Sequence, residues 1–223
     1  MSMPGGWDRP DVAAAQLELV QKELRNPDEC LPYKHFLLAM SLIADKLGFA
    51  PALLDIGCGV GHYGVLCERY YPHLQYYGTD ASAAMIEQAR QLAPLGFLWV
   101  LEFRENHPEN FDIVLASQVI EPMGGDVWAN LRWLLSGARK YIILNRIRLT
   151  ADPSHAIEET TYCGHIGPEW LWNQVELESV ISEYCDIIWS TVWDNGNQAT
   201  YVLEVQNGER AIRDGCTYCK CAN

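Results

Sequence analysis

The chain has 223 residues, of which 49% are apolar and 20% charged, and a formal net charge of −13. These totals exclude a disordered chain and suffice for one domain with a sizeable core. The acidic balance argues against a nucleic-acid partner, which is held largely by clustered Lys and Arg, although Arg146 and Arg148 stand close together. No apolar run reaches the roughly 18 residues of a membrane span. The opening MSMPGGWDRP lacks a basic segment followed by an apolar one. The expectation is a cytoplasmic protein with no membrane partner and mostly reduced cysteines; the oligomeric state is not legible.

In chain order, Asp11 to Leu24 reads as a helix with apolar residues at Val12, Leu17, Val20 and Leu24, broken by Asn26-Pro27-Asp28. Tyr33 to Leu47 reads as a second helix, with Gly48 after its end. Ala52 to Ile56 has strand length and apolarity, and a glycine-rich loop follows it. His62 to Tyr70 is helical and Leu74 to Tyr77 strand-like; Asp80 and Ser82 offer N-caps to a helix through Met85, Ile86 and Ala89. Phe97 to Phe103 and Phe111 to Ala116 are strand-like, Val127 to Leu135 is helical, and Tyr141 to Leu144 is a further strand. Such alternation predicts a parallel sheet covered by helices on both faces. The last third differs. Val175 to Tyr184 reads as a helix, and Asn195-Gly196 between Cys185–Trp193 and Ala199–Val205 predicts a hairpin.

The loop, Gly57-Cys58-Gly59-Val60-Gly61, brings backbone close to a ligand because side chains are missing there, and it opens a helix with free N–H groups. A nicotinamide cofactor and S-adenosylmethionine both suit that geometry. Asp55, just before the first glycine, suits the cationic methionine end of S-adenosylmethionine better than a pyrophosphate. Leu53-Leu-Asp-Ile-Gly-Cys-Gly-Val-Gly61 resembles the first motif of the class I S-adenosylmethionine-dependent methyltransferases. Gly78-Thr-Asp80-Ala-Ser82 with Met85 is similar to their second motif, and Phe111 to Glu121 to their fourth strand and the loop after it. The terminal hairpin matches their sixth and seventh strands.

The resemblance implies an α/β, Rossmann-like three-layer sandwich. Its seven-stranded, mostly parallel sheet would end in an antiparallel hairpin of the sixth and seventh strands. Residues 1–50 would form an N-terminal helical extension, 51–206 the methyltransferase domain and 207–223 a tail. It further implies that Asp55, Gly57, Cys58, Gly59 and Gly61 line the methionine moiety. Asp80 would accept from both ribose hydroxyls, with Ala81 and Met85 near the adenine. Glu105 or Asn106 would meet the adenine amine, and Ser117 and Gln118 would lie near the transferring methyl. The product would be S-adenosylhomocysteine.

The acceptor is expected to be a small molecule, with oxygen slightly favoured as the methylated atom. Asn145 to His165 is long for a strand-to-helix connection, and such loops tend to carry function. His165, then His155, are candidates for a base, and Glu121 is a third. Tyr63, Trp170 and Trp172 are candidates for an aromatic wall. Cys216, Cys219 and Cys221 have spacing seen at zinc sites but supply three of the four ligands a structural site wants, which Cys163 or His165 could complete if the tail folded back; a tail with spare thiols and no metal is the expectation. The competing functions are a nicotinamide-dependent oxidoreductase and a non-catalytic methyltransferase-like binding subunit.

Overall fold

A computed structural model describes residues 7–123, 125–160 and 166–206. The six helices described are α1 (Pro10–Glu23), α2 (Leu31–Ala44), α3 (His62–Tyr70), α4 (Ala83–Leu92), α5 (Val127–Gly137) and α6 (Gln174–Ile181). The strands are β1 (Ala52–Ile56), β2 (Gln75–Asp80), β3 (Phe97–Val100), β4 (Ile113–Ser117), β5 (Tyr141–Thr150), β6 (His155–Thr160), β7 (Ile166–Asn173), β8 (Cys185–Trp193) and β9 (Gln198–Val205).

The central strands are apolar at consecutive positions because both sheet faces are covered. Leu53, Leu115, Ile143 and Val202 point to one face, where Val12, Phe36, Ile43, Leu66 and Ile86 of α1 to α4 cover them. Their neighbours Leu54, Val114, Ile142 and Leu203 point to the other, against Leu131, Leu134, Leu177 and Ile181 of α5 and α6. The result is the expected helix–sheet–helix sandwich.

The strand order runs β3-β2-β1-β4-β5, all parallel. β9 then adds antiparallel to β5 and β8 antiparallel to β9, which realises the hairpin expected at Asn195-Gly196. Asp194, Asn195 and Gly196 all have left-handed φ, at 53°, 55° and 93°. Three departures from the expected layout concern β5 to β7. β5 does not stop at Leu144 but continues to Thr150. The segment read as a long loop contains β6 and β7, an antiparallel pair joined to the end of β5 through Leu149–Trp172 and Thr150–Asn173. Among the described residues the sheet therefore has nine strands, not seven.

Where β5 crosses β9 the ladder is irregular. Leu144 pairs with Tyr201 and Ile147 with Ala199, so Asn145 and Arg146 together oppose one residue, Thr200. This is a β-bulge, and it places Arg146 at φ 59°. A side chain there suffers contact with its own backbone that glycine avoids. Arg146→Gly is therefore expected to be more stable than Arg146→Ala by about 0.5–1 kcal/mol in urea unfolding, the relieved clash outweighing glycine's extra unfolded-state freedom. Equal stabilities would show that the bulge is unstrained.

Candidate functional site

A cleft of about 1070 Å³ opens along the carboxyl ends of β1, β2, β4 and β5, where α/β sheets of this kind hold ligands. The glycine loop forms one wall. Gly57 and Gly59 have φ of 72° and 54°. A Cβ on Gly57 would lie 2.2 Å from Val119 Cγ2, and one on Gly59 would press on the Gln16 side chain at 3.0 Å. Gly57 thus needs glycine for conformation and for space, and Gly59 for conformation, since the flexible end of Gln16 can give way. Backbone bonds hold the loop: Gly57 N and Cys58 N both donate to Thr79 O, at 2.7 and 2.9 Å.

Asp80 completes that anchorage. One carboxylate oxygen accepts from Gly59 N at 2.9 Å and the other from Ser82 N at 2.8 Å. Ser82, not Asp80, caps α4 by accepting from Met85 N at 3.1 Å. Burial raises the Asp80 pKa, and the two N–H donors oppose the rise. Ala81 and Met85 line the cleft beside Asp80. Across from them stand Leu101, Glu102 and Phe103, which follow β3. The lining residues thus stand one turn before the expected pair. Glu105 and Asn106 do not line the cleft: Glu105 completes a capping box with Glu102, and the buried Asn106 amide donates to Glu102 O and Phe103 O while accepting from Thr79. Trp7 and Gln16 of the N-terminal segment also reach the cleft, a contact that no motif announced.

Asp55 corrects an expectation. It is 1% exposed and does not line the cleft. Tyr76 donates its hydroxyl to Asp55 Oδ2 at 2.6 Å, and burial pushes the Asp55 pKa up to about 8 despite that bond. A protonated carboxyl turned into the core offers no charge to a ligand. Cys58 is likewise buried, with its sulfur toward Gly78, and Gly61 packs against Ala89; neither lines the cleft.

Ser117, the last residue of β4, and Gln118 and Val119 after it form the middle of the cleft. Gln118 has φ 50°. Ser117 Oγ lies 2.9 Å from the Tyr63 hydroxyl, which accepts from Asn145 Nδ2 at 2.7 Å. Asn145 Oδ1 accepts in turn from Thr200 Oγ1 at 2.7 Å, and Trp193 Nε1 donates to Thr200 at 3.1 Å. This satisfied chain joins α3, β4, β5, β9 and β8 and stiffens the cleft floor. Tyr63 thereby lines the cleft as expected of an aromatic wall, and burial pushes its hydroxyl up to about 12.

The far end is built by β5, β6, β7 and the β8–β9 turn. Arg146, Arg148, Glu159, Glu169, Asp194 and Gln198 face it. Arg148 is paired with Glu159. Seven described buried polar side-chain atoms lack a hydrogen-bond partner, and five belong to cleft residues: Gln16, His62, Arg146, Glu169 and Gln198. A polar ligand or ordered water in the cleft would satisfy these atoms. Burial, then Arg146, pushes the His62 pKa down to about 3, so His62 is neutral.

Two of the three expected bases fall elsewhere. His155 does not line the cleft, and its Nδ1 is bonded to Pro153 O at 2.7 Å. Glu121 is buried behind the wall, accepting from Trp172 Nε1 at 3.1 Å, with its pKa pushed up to about 7 by burial and by Glu169. Trp172 is core, not wall. His165, Cys163 and the cysteines at 216, 219 and 221 lie outside the described residues. Glu169 was missed because it sits in a strand that the Gly167-Pro168 pair disguised. Among the described residues no helix is long and apolar enough to cross a membrane.

Comparison with known proteins agrees with this architecture. Residues 54–142 match a protein-family model described as "Methyltransferase domain". A segment of 73 residues is 37% identical to a malonyl-[acyl-carrier protein] O-methyltransferase of Legionella pneumophila, covering 30% of this chain and 26% of that protein. The match spans about a quarter of that relative's length. The fold is similar to an S-adenosylmethionine-dependent methyltransferase from Clostridium acetobutylicum, at TM-score 0.60 and 13% identity, covering 86% of this chain and 98% of that one. It is also similar to the SAM-bound amino pentose methyltransferase of Micromonospora echinaspora, at TM-score 0.59 and 15% identity, covering 84% and 97%.

The protonated state of Asp55 has a measurable consequence. A folded pKa of about 8 against an ordinary 3.8 means that folding takes up a proton between those values. Wild-type stability should therefore fall as pH rises through that window. Asp55→Asn lacks the ionisation, so its stability relative to wild type should climb from pH 4 to pH 8 and then level off. A pH-independent difference in urea unfolding would show that Asp55 is ionised in the fold.

Proposed function

From a chain that carries a methyltransferase domain of the class I, Rossmann-like kind, we propose that the protein binds S-adenosylmethionine and moves its methyl group to an oxygen of a small-molecule acceptor. One observation carries this reading. A single continuous cleft joins the glycine loop, Asp80 and Met85 at one end to Tyr63, Arg146 and Glu169 at the other, with Ser117 and Gln118 between them.

The residues present fit the cofactor. Gly57 and Gly59 leave bare backbone where the methionine moiety would lie. The Asp80 carboxylate, already fixed by Gly59 and Ser82, has lone pairs left for two ribose hydroxyls. Ala81, Met85, Leu101 and Phe103 supply an apolar slot for the adenine. The bound cofactor supplies a methyl already activated for in-line displacement. The chain's own task is to hold the acceptor in line, keep water out and receive a proton.

For the last step Glu169 is the group with the right placement. It lines the cleft, is 7% exposed, and its Oε2 has no hydrogen-bond partner. Glu159 is committed to Arg148, and Asp80 to two backbone donors. Burial raises the Glu169 pKa, opposed by Arg148, Arg146 and the Gln118 side chain. A carboxylate so raised is a stronger base than an exposed one and is still ionised above its raised pKa.

Calorimetric titration of the folded protein with S-adenosylhomocysteine tests the cofactor assignment. Saturable binding is expected, weakened about 10- to 100-fold by Asp80→Ala, the loss of a pair of charge-assisted hydrogen bonds. Binding of NADH and not of S-adenosylhomocysteine would overturn the assignment. With any hydroxyl acceptor that is turned over, Glu169→Gln should lower kcat about 100-fold or more with little change in cofactor affinity. The acidic limb of the wild-type pH–rate profile should lie above the ordinary carboxylate range and vanish in the variant. A profile unchanged by Glu169→Gln would remove Glu169 from the reaction.

A further inference from the structure

The far end of the cleft holds a cation to which the proposed methyl transfer gives no contact of its own beyond its field on Glu169. Arg146 is the residue that the β5 bulge turns out of the ladder, and it keeps a left-handed φ of 59° although it is not glycine. Its side chain lines the cleft, and its Nε is buried without a hydrogen-bond partner. Among the described residues no ion pair reaches its guanidinium. Arg148, two residues on, shows the contrast, being tied to Glu159. A strained backbone that delivers an unpaired, partly buried guanidinium into a cleft is a poor device for stability, since desolvating donors without partners is unfavourable. It is a good device for binding an anion, because the planar fork matches two oxygens at once.

The surroundings narrow the anion. His62 Nδ1 and Gln198 Oε1 are also buried without partners and line the same cleft, but His62 is neutral and adds no charge. Glu169 and Asp194 face the same end. Among the described residues, one cation without an ion pair, bordered by carboxylates, suits a single negative charge with two oxygens and disfavours a phosphate dianion. Val119, Pro122, Leu149 and Leu171 give apolar surface for a carbon skeleton. We propose that Arg146 anchors a carboxylate of the acceptor, so that the acceptor is a small organic acid held by its carboxylate against the guanidinium. This inference rests on the methyltransferase reading for the word acceptor, and on the cleft alone for the carboxylate.

The test uses isosteric pairs that differ in charge: benzoate with benzamide, and hexanoate with hexanamide. Each is titrated into the full chain by ligand-observed NMR, with and without saturating S-adenosylhomocysteine. The expected result is that at least one carboxylate binds tenfold or more tightly than its amide. Arg146→Gln should bring the members of that pair within twofold, and Arg146→Lys should retain part of the preference. Arg146→Gly, which relieves the backbone strain, should lose the preference while staying folded by circular dichroism. Three results would overturn the proposal: no carboxylate preference in the wild type, a preference that survives Arg146→Gln or Arg146→Gly, or inorganic phosphate displacing the carboxylate at equal or lower concentration. If the carboxylate preference holds while S-adenosylhomocysteine fails to bind, the anion site stands and the cofactor reading falls.

Discussion

The site depends on how a glycine-rich loop is held still. Gly57, Gly59 and Gly61 have no side chains with which to pack, only Cys58 and Val60 between them reach the core, and each glycine brings conformational freedom that folding must remove. The end of β2 removes it. Thr79 O accepts from two consecutive loop N–H groups, and the Asp80 carboxylate joins Gly59 N to Ser82 N at the start of α4. One side chain thus locks the loop after β1 to the helix after β2 and still borders the cleft. The same carboxylate that would meet a ribose is a structural tie, so the ligand surface exists before any ligand arrives.

From that tie the cleft extends along the sheet edge with a change of character. The loop end is bare backbone and apolar walls; the far end is rich in charge and in buried polar atoms without partners. The division has a structural origin. The first end is made by the parallel strands β1, β2 and β4, whose helices cover them tightly. The second is made by the overlong β5, its bulge, and the β6–β7 pair added to its tip. A common scaffold therefore carries its distinguishing chemistry on strands that the scaffold does not require.

Much of this was legible in the residues. The alternation of apolar strands and amphipathic helices, the glycine loop and the Asn195-Gly196 hairpin follow from local rules, whereas the places of Gly57, Gly59, Ala81 and Met85 along the cleft are what the family resemblance implied. Three things were not. The charge of Asp55 cannot be read from its position, because its protonation follows from burial that only the fold creates, against the opposing hydrogen bond from Tyr76, 21 residues away. The β6–β7 pair was hidden because Gly167-Pro168 interrupts the apolar pattern and β6 alternates only between half-buried and exposed positions. Arg146 was visible only as one of two neighbouring arginines; its importance comes from a bulge, which is a property of the pairing between β5 and β9 and not of either strand alone.

With the negative charge of Asp55 withdrawn into the core, preference for S-adenosylmethionine over a dinucleotide rests on the shape of the cleft and on Asp80. The most direct measurement is a crystal structure of the protein grown with S-adenosylhomocysteine. The account predicts the ribose hydroxyls within hydrogen-bond distance of the Asp80 carboxylate, the amino-acid end against Gly57 and Gly59, and the sulfur facing Ser117 and Gln118. A nucleoside bound away from Asp80, or an amino-acid end excluded from the glycine loop, would contradict it.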